Sequence, residues 1–410
     1  MADKNSIKRR RFLQLSSTAF IAGAASRLIA KPLELGPQSQ VEEAARKVGL
    51  LPRRKLGYSQ RDISVIIGSG DLEKLSTEAG ILCGMNYWHK ANRWMREGTP
   101  ESILKNRDAH ICQVTVDRVG GDHFQGHFDE EEHYRFVKEA VKQTGLGYFD
   151  DMQLHYGYHN VAELKNDRSF IRAFERLKKE GLVKHLCLSQ HSYNGSPRVE
   201  KGESAAEVLT AVVEDGLYEH AQFMYSYSPD PEMDRFIEYA KSKNFGTIAM
   251  KTARGIGRMK EFEDFMNTMP ESTAPHNALT RWLTTETNLD AVVMRVRNLD
   301  EFTESYSGAG KKLRASDAVA IELMAAEADR TTCRLCGACQ SQCQQGIPIT
   351  DILRFERYGM DDHDWEKASS LYAGLPTKGD ECISCRNCVE ACPISLPIPE
   401  KLAKVHMLLT

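Results

Sequence analysis

Between residues 54 and 310 the chain alternates short apolar, β-branched runs with longer stretches whose apolar residues recur at helical spacing. Strands are expected at Ile63–Ile67, Gly84–Trp88, His110–Val116, Phe149–His155, His185–Ser189, Ala221–Ser226, Thr247–Lys251 and Ala291–Val296. Among the stretches between them, one sets Tyr134, Val137, Ala140 and Val141 on a single helical face, and another sets Phe170, Ile171, Phe174 and Leu177. Eight strands alternating with helices over about 250 residues is the rhythm of an α/β protein of the (β/α)8 TIM-barrel class. From 311 to 410 that rhythm stops. Short helices are expected there over Ile349–Tyr358 and Trp365–Tyr372, between cysteine-bearing turns, which describes a small, mainly helical appended domain. Residues 31–53, with Pro32, Pro37 and Pro52 among mixed charges, read as a linker.

Overall composition is ordinary for a globular chain, with 41% hydrophobic residues, 27% charged and a formal net charge of −3. No basic stripe with interleaved aromatics occurs, so nucleic acid is not an expected partner. The cysteines change the picture. Of eleven, eight fall into two groups, Cys333, Cys336, Cys339, Cys343 and Cys382, Cys385, Cys388, Cys392. Each group reads C-x-x-C-x-x-C-x-x-x-C, the spacing of thiolates that hold a [4Fe–4S] cluster. In two-cluster ferredoxins the fourth cysteine of one group reaches the other cluster. One cluster is therefore assigned to Cys333, Cys336, Cys339 and Cys392, the other to Cys382, Cys385, Cys388 and Cys343. Structural zinc and disulfides compete for the same residues. Zinc sites, however, use isolated C-x-x-C pairs and need four ligands, and here a third cysteine follows at the next interval in both groups. Cys83, Cys112 and Cys187 lie in apolar segments and are expected to be packing residues. Two such clusters imply electron transfer and a redox partner protein. Asp361, Asp362, Asp364 and Glu366 form either an acidic patch that steers a cationic partner or a solvated loop.

At the N-terminus Lys8-Arg9-Arg10-Arg11-Phe12-Leu13-Gln14 precedes a modest apolar run, Leu15 to Ala25, that contains Ala22-Gly23-Ala24. A basic region, a short apolar region and small residues describe an export signal over residues 1–30. The Arg-Arg-x-Phe-Leu core resembles the twin-arginine type. Such a signal implies passage of the folded, cofactor-loaded protein to the periplasm or cell envelope. The apolar run is short and rich in Ser, Gly and Ala, so membrane association is expected only in translocation or at the periphery.

The barrel segment resembles the aldo/keto reductases. The residues that carry the resemblance are Arg54-Lys55-Leu56-Gly57, Gly84-Met85-Asn86-Tyr87, Phe149 to His155, Leu177 to Ser189 and Ile248-Ala249-Met250-Lys251, in the family's order. With the cysteine groups, the whole looks like relatives of that family that carry a C-terminal ferredoxin-like domain from 311 to 410. The resemblance implies a nicotinamide cofactor, NADP(H), and carbonyl reduction by a tyrosine, a lysine, an aspartate and a histidine. His155 occupies the histidine position, but His89 stands at the aspartate and Trp94 at the tyrosine. The lysine position falls near Val116 or Asp117. Without the lysine and aspartate that make a tyrosine acidic, the standard hydride-transfer chemistry is lost. Ser189 and Gln222 remain as candidate contacts to a nicotinamide carboxamide, while Met294 to Asn298 lacks the family's glycine.

In place of the tetrad, histidines gather at the expected strand ends: His89, His123, His127, His155, His159 and His191. They either converge on a metal, a haem or a proton-transfer site, or are a family relic among loop histidines. His155 and His89 are the catalytic candidates. The reading is an exported iron–sulfur oxidoreductase whose electrons pass between the clusters and either the barrel site, with a small-molecule substrate, or a partner redox protein. Its rivals are a non-catalytic electron-carrier subunit and an NADPH-dependent carbonyl reductase.

Overall fold

The computed structural model describes residues 37–120, 126–191, 203–259, 263–271, 273–361 and 363–410. Eight parallel strands close into a barrel: β3 (Ile66–Ser69), β4 (Tyr87–His89), β5 (Ile111–Val116), β6 (Phe149–Leu154), β7 (Val183–Gln190), β8 (His220–Met224), β9 (Gly246–Met250) and β10 (Ala291–Val293), with β10 pairing back to β3. Side chains alternate across each strand. Outward positions such as Cys112, Val114, Val116, Met152, Leu154, Leu186, Leu188, Ala221 and Phe223 are apolar and join the core beneath the surrounding helices. Inward positions are mostly polar, which is unusual for a barrel interior normally filled by branched apolar residues. Several of them bond one another, although Gln113 Oε1 and His220 Nδ1 have no partner among the described residues. Gln113 donates to Cys187 (3.3 Å), Thr115 to Gln153 (3.3 Å), Gln153 to Gln222 (3.1 Å), and Tyr87 meets His220 (3.1 Å).

An antiparallel hairpin, β1 (Arg53–Leu56) and β2 (Arg61–Ser64), covers the N-terminal end of the barrel. Leu56 and Ile63 pack there with Ile67, Tyr87, Ile248 and Ala291, and Arg61 reaches inside to the buried Asp151 at 2.7 Å. Gly57 makes this contact feasible: it has φ +44°, and a Cβ there would lie 2.3 Å from the Gly246 nitrogen. The first expected strand, Ile63–Ile67, straddles the end of β2 and the start of β3, because the apolar run continues through the break between them. The expected linker 31–53 also differs from Pro37 onward. Pro37–Val48 is a helix that buries Val41, Ala44 and Val48 against the barrel core, a face its charged residues obscure in the sequence.

Helix Ala315–Thr331, beyond the expected barrel boundary at 310, packs Ile321, Met324 and Ala328 on the barrel. After Thr332 a second core begins, formed by Ile347, Ile352, Leu353, Phe355, Tyr372, Leu402 and Val405 among others. Three helices frame it: Ile349–Met360, Trp365–Ala373 and Ile398–Leu409. The two cores are joined by buried charge. Arg254, just past β9, donates to Asp329 (2.8 Å) and to the Ala328 carbonyl (3.1 Å). Arg258 meets Asp361 at 2.7 Å and Glu356 at 3.5 Å, and Lys401 meets Glu356 at 2.8 Å. Residues 37–410 consequently form one compact unit. Among the described residues no helix is long and apolar enough to cross a membrane.

Candidate active site and cysteine cavities

The inward parity of the strands, carried past their ends, brings polar residues to the barrel mouth. It runs Tyr87, His89 on β4; Gln113, Thr115, Asp117 on β5; Asp151, Gln153, His155 on β6; and Cys187, Ser189, His191 on β7. His155 Nδ1 lies 2.5 Å from Asp117 Oδ1, so the site pairs the retained histidine with a carboxylate where the resemblance expects lysine. The His155 and His191 rings are 5.8 Å apart, and Tyr156 stacks on His191 at 4.2 Å. His191 is 4% exposed, with no hydrogen-bond partner for either ring nitrogen, and Nδ1 of the buried His89 also has none. Burial holds both imidazoles well below their ordinary pKa, aided by neighbouring cations, Lys90 at His89 and Lys251 at His191. Burial, with Arg93 close by, also pushes the Lys90 ammonium down to about 8, against the opposing pull of Asp71 and Asp117.

Three strand ends are backbone outliers. Lys90 (φ 54°), Tyr156 (φ 64°) and Lys251 (φ 55°) are left-handed non-glycine residues that follow β4, β6 and β9. Each such residue costs about 1–2 kcal/mol and persists only where its surroundings hold it, a pattern concentrated at functional sites. The backbone N–H of Tyr156 donates to Ser189 Oγ (3.2 Å), and Gln222 accepts from Gln153. Both expected carboxamide contacts are thus buried and engaged within the barrel. Helix Ile349–Met360 of the second core reaches this mouth: Tyr358 acts on Tyr156, and Arg354 lies among the charges that act on Tyr156 and His191.

Not every strand-end histidine joins. His127 is exposed in a bridge to Val119, and His159 is tied to Glu163 at 3.3 Å. His123 lies outside the described residues. Trp94 packs beside Trp88, 6.2 Å between ring centroids, as part of the outer core. Among the described residues, no three His, Cys, Asp or Glu side chains form a single-ion site. Asp117 and Lys90 join the site although they are not among the candidate residues expected from the sequence. Their signal was the inward parity of β5 for the one and the position next to His89 for the other.

The second core holds two small cavities, both open to solvent. One is lined by Cys343, Cys382, Cys385 and Cys388, the other by Cys333, Cys336, Cys339 and Cys392, the crossed sets that the spacing leads one to expect. Both cysteine loops turn alike. Leu335 and Ser384, Gly337 and Arg386, and Gly346 and Ser395 occupy matching positions and all have positive φ. Left-handed turns of this kind aim backbone N–H groups into a concavity, as in many iron–sulfur sites. The N–H groups of Leu335 and Leu396 donate to the Cys333 and Cys392 sulfurs, at 3.2 and 3.4 Å. Burial pushes the thiols of Cys333 and Cys388 up to about 11, and cysteines sharing each cavity add to the rise. Cations at the centre would relieve that crowding. A single ion needs every donor within about 2.3 Å of one point, whereas a cluster is larger and suits ligands set around a cavity. The residues fit a cluster better than an ion.

The cavities differ in position. Cys333 directly follows Thr332, whose carbonyl is bonded by Arg254, and Arg334 donates to the Pro229 carbonyl (3.3 Å), so this cavity adjoins the barrel. The other is peripheral, with Cys385 exposed and Ile383 57% exposed.

No protein-family model and no curated protein matches this chain. Solved structures do. An aldo-keto reductase from Bacillus halodurans, in its holo form, is 15% identical with a TM-score of 0.50, the match covering 67% of this chain and 96% of that one. A Pseudomonas aeruginosa protein described as an aldo-keto reductase is 14% identical with a TM-score of 0.47, over 66% and 98%. At such identity the likeness is one of fold: the barrel of this chain is built as an aldo-keto reductase barrel is.

Proposed function

We propose that this protein is an iron–sulfur oxidoreductase in which the barrel mouth handles a small-molecule substrate and the second core carries electrons. The observation that supports it best is the pair of cavities, each lined by four cysteines drawn from both groups. Cys333, Cys336, Cys339 and Cys392 would hold the inner [4Fe–4S] cluster, and Cys343, Cys382, Cys385 and Cys388 the outer. Bound there, each supplies a one-electron relay. The exposed outer cavity is the natural face for a redox partner, and the inner one adjoins the barrel.

The barrel's own residues manage protons. Asp117 orients and stabilises His155, which transfers a proton at the mouth. Lys90, with its ammonium near neutrality, serves as a second acid or base. Interconverting a carbonyl and a hydroxyl requires two electrons and two protons, and these two groups provide the protons. The twin-arginine-like start, Arg9-Arg10, extends the proposal to a location in the cell envelope.

The test is to fractionate native cells, purify the protein anaerobically, and quantify iron, sulfide and zinc before titrating it with NADPH. About eight irons per chain in protein from the envelope fraction, with no response of the visible spectrum to NADPH, is the expected result. One or two zinc ions would overturn the cluster assignment, and recovery only from the cytoplasm would overturn the location. Bleaching by NADPH would transfer the case to a nicotinamide-dependent reductase.

A further inference from the structure

We propose that Arg254 of the barrel and Arg334 of the second core, both held on Asp329, raise the reduction potential of the inner cluster. An electron is thereby favoured on the side that faces the barrel. Neither arginine is a ligand: both act through the surroundings of the cysteines, and their role rests on the iron–sulfur reading.

Asp329 is shared. Its Oδ1 accepts from Arg254 Nη1 at 2.8 Å and from Arg334 Nε at 3.1 Å, and its Oδ2 accepts from Arg334 Nη2 at 2.5 Å. Two guanidiniums on one carboxylate leave a net positive charge, and a guanidinium keeps its proton. That charge is fixed against the inner cavity. Arg334 is the charged residue among those that line it, and it directly follows Cys333. Arg254 donates to the carbonyl of Thr332, on the other side of Cys333, and to that of Ala328 at 3.1 Å. Gly255 lets the barrel loop come this close: its φ is +72°, and a Cβ there would lie 2.8 Å from Thr332 Oγ1. Arg254 is 4% exposed, so salt and water screen it little.

The outer cavity is furnished differently. Its charged lining residue, Arg386, is paired with Glu400 at 2.8 Å, and both side chains are more than half exposed. Such a pair is neutral in sum and screened by water. The N–H bonds of Leu335 and Leu396 to sulfur, at 3.2 and 3.4 Å, also belong to the inner set. A cluster held by four thiolates gains negative charge when it is reduced. Buried positive charge and N–H donors to sulfur favour that form and raise the potential. Water favours the reduced form too at the exposed outer site, so the three charges fix the height of the inner potential rather than the order of the two.

Anaerobic redox titration of the full-length, iron-loaded protein, followed in the visible spectrum and by paramagnetic resonance, tests this. Arg334→Gln should lower one of two midpoints, the reduced-to-oxidised ratio at the native midpoint falling about tenfold, the scale of one partly buried unit charge. Arg334→Lys should restore most of that ratio. Asp329→Asn should move the same midpoint upward, because it leaves both guanidiniums uncompensated. A purely structural disturbance has no reason to reverse its sign with charge. Arg254→Gln should act as Arg334→Gln does, and if it fails to fold the partly exposed Arg334 carries the test. The midpoint that stays in place should be the one lost in Cys385→Ser. Unchanged midpoints in folded Arg334→Gln, a downward shift in Asp329→Asn, or loss of the shifting midpoint in Cys385→Ser would each overturn the proposal. Protein without iron–sulfur clusters would overturn the cluster reading and this role with it, a failure that metal analysis reports separately.

Discussion

Lys90 shows how one side chain can be destabilising and useful at once. Burial makes it release its proton near pH 8, whereas an unfolded lysine does so near about 10.4. Below pH 8 the folded chain holds a buried charge at a cost, and that cost lifts as pH rises from about 8 to about 10.4, where only the unfolded chain still binds the proton. Lys90→Met should therefore be more stable than the native protein at pH 7, with the advantage shrinking toward pH 10, as read by chemical unfolding across that range. A variant less stable at pH 7, or an advantage independent of pH, would count against the assignment. The same substitution should impair turnover, since the strain and buried charge at this position have no structural use that methionine lacks. Residue by residue, the site was only partly legible in the sequence. His155 and His89 stand out because they fall at expected strand ends. Asp117 does not, because its role depends on reaching His155 across thirty-eight positions of chain.

At the scale of elements, the second core is a repeat that spacing alone half reveals. Each group runs from its fourth cysteine through a left-handed residue and a proline into a helix: Cys343, Gly346, Pro348 and Ile349–Met360, then Cys392, Ser395, Pro397 and Ile398–Leu409. Glycine fills the left-handed position once and serine fills it once. Ser395→Gly should stabilise the protein by about 0.5–1 kcal/mol, the relieved strain offset in part by glycine's greater chain freedom. Gly346→Ala should cost about 1 kcal/mol, since open space surrounds the site and only the dihedral penalises a side chain. Thermal unfolding of each variant beside the native protein measures both, and shifts of the same sign would refute the equivalence. Local signals of this kind, cysteine spacing and strand alternation, survive in a sequence because each is decided within a few residues. The polar filling of the barrel was harder to see. An inward glutamine and an outward one look alike until the partner strand is known, as Gln153 and Gln222 illustrate.

For the molecule as a whole, what the sequence concealed is the closure of the barrel by its neighbour. Helix Ile349–Met360 reads as a piece of a small helical domain, which it is, yet Arg258 of the barrel is paired with its Glu356 and with Asp361 just beyond its end. No periodicity announces a pairing of buried charges so far apart in the chain. Removing Arg258 alone would leave Glu356 to Lys401 and Asp361 to its longer contact with Arg357, without the guanidinium that joins them.

The unequal exposure of the two cysteine cavities has a consequence for how the protein tolerates dioxygen. Cys385 and its loop stand in solvent, while the other set leans on the barrel. An oxidant arriving by diffusion meets the outer site first. If the two cavities hold the proposed clusters, iron should leave in air in two phases, about half quickly and the rest slowly, and a single uniform decay would show the sites to be equally guarded. On the proposed function, a preparation handled in air would then keep its fold, its barrel and its inner site while losing the contact through which electrons would enter or leave. Such a protein would look intact and be disconnected.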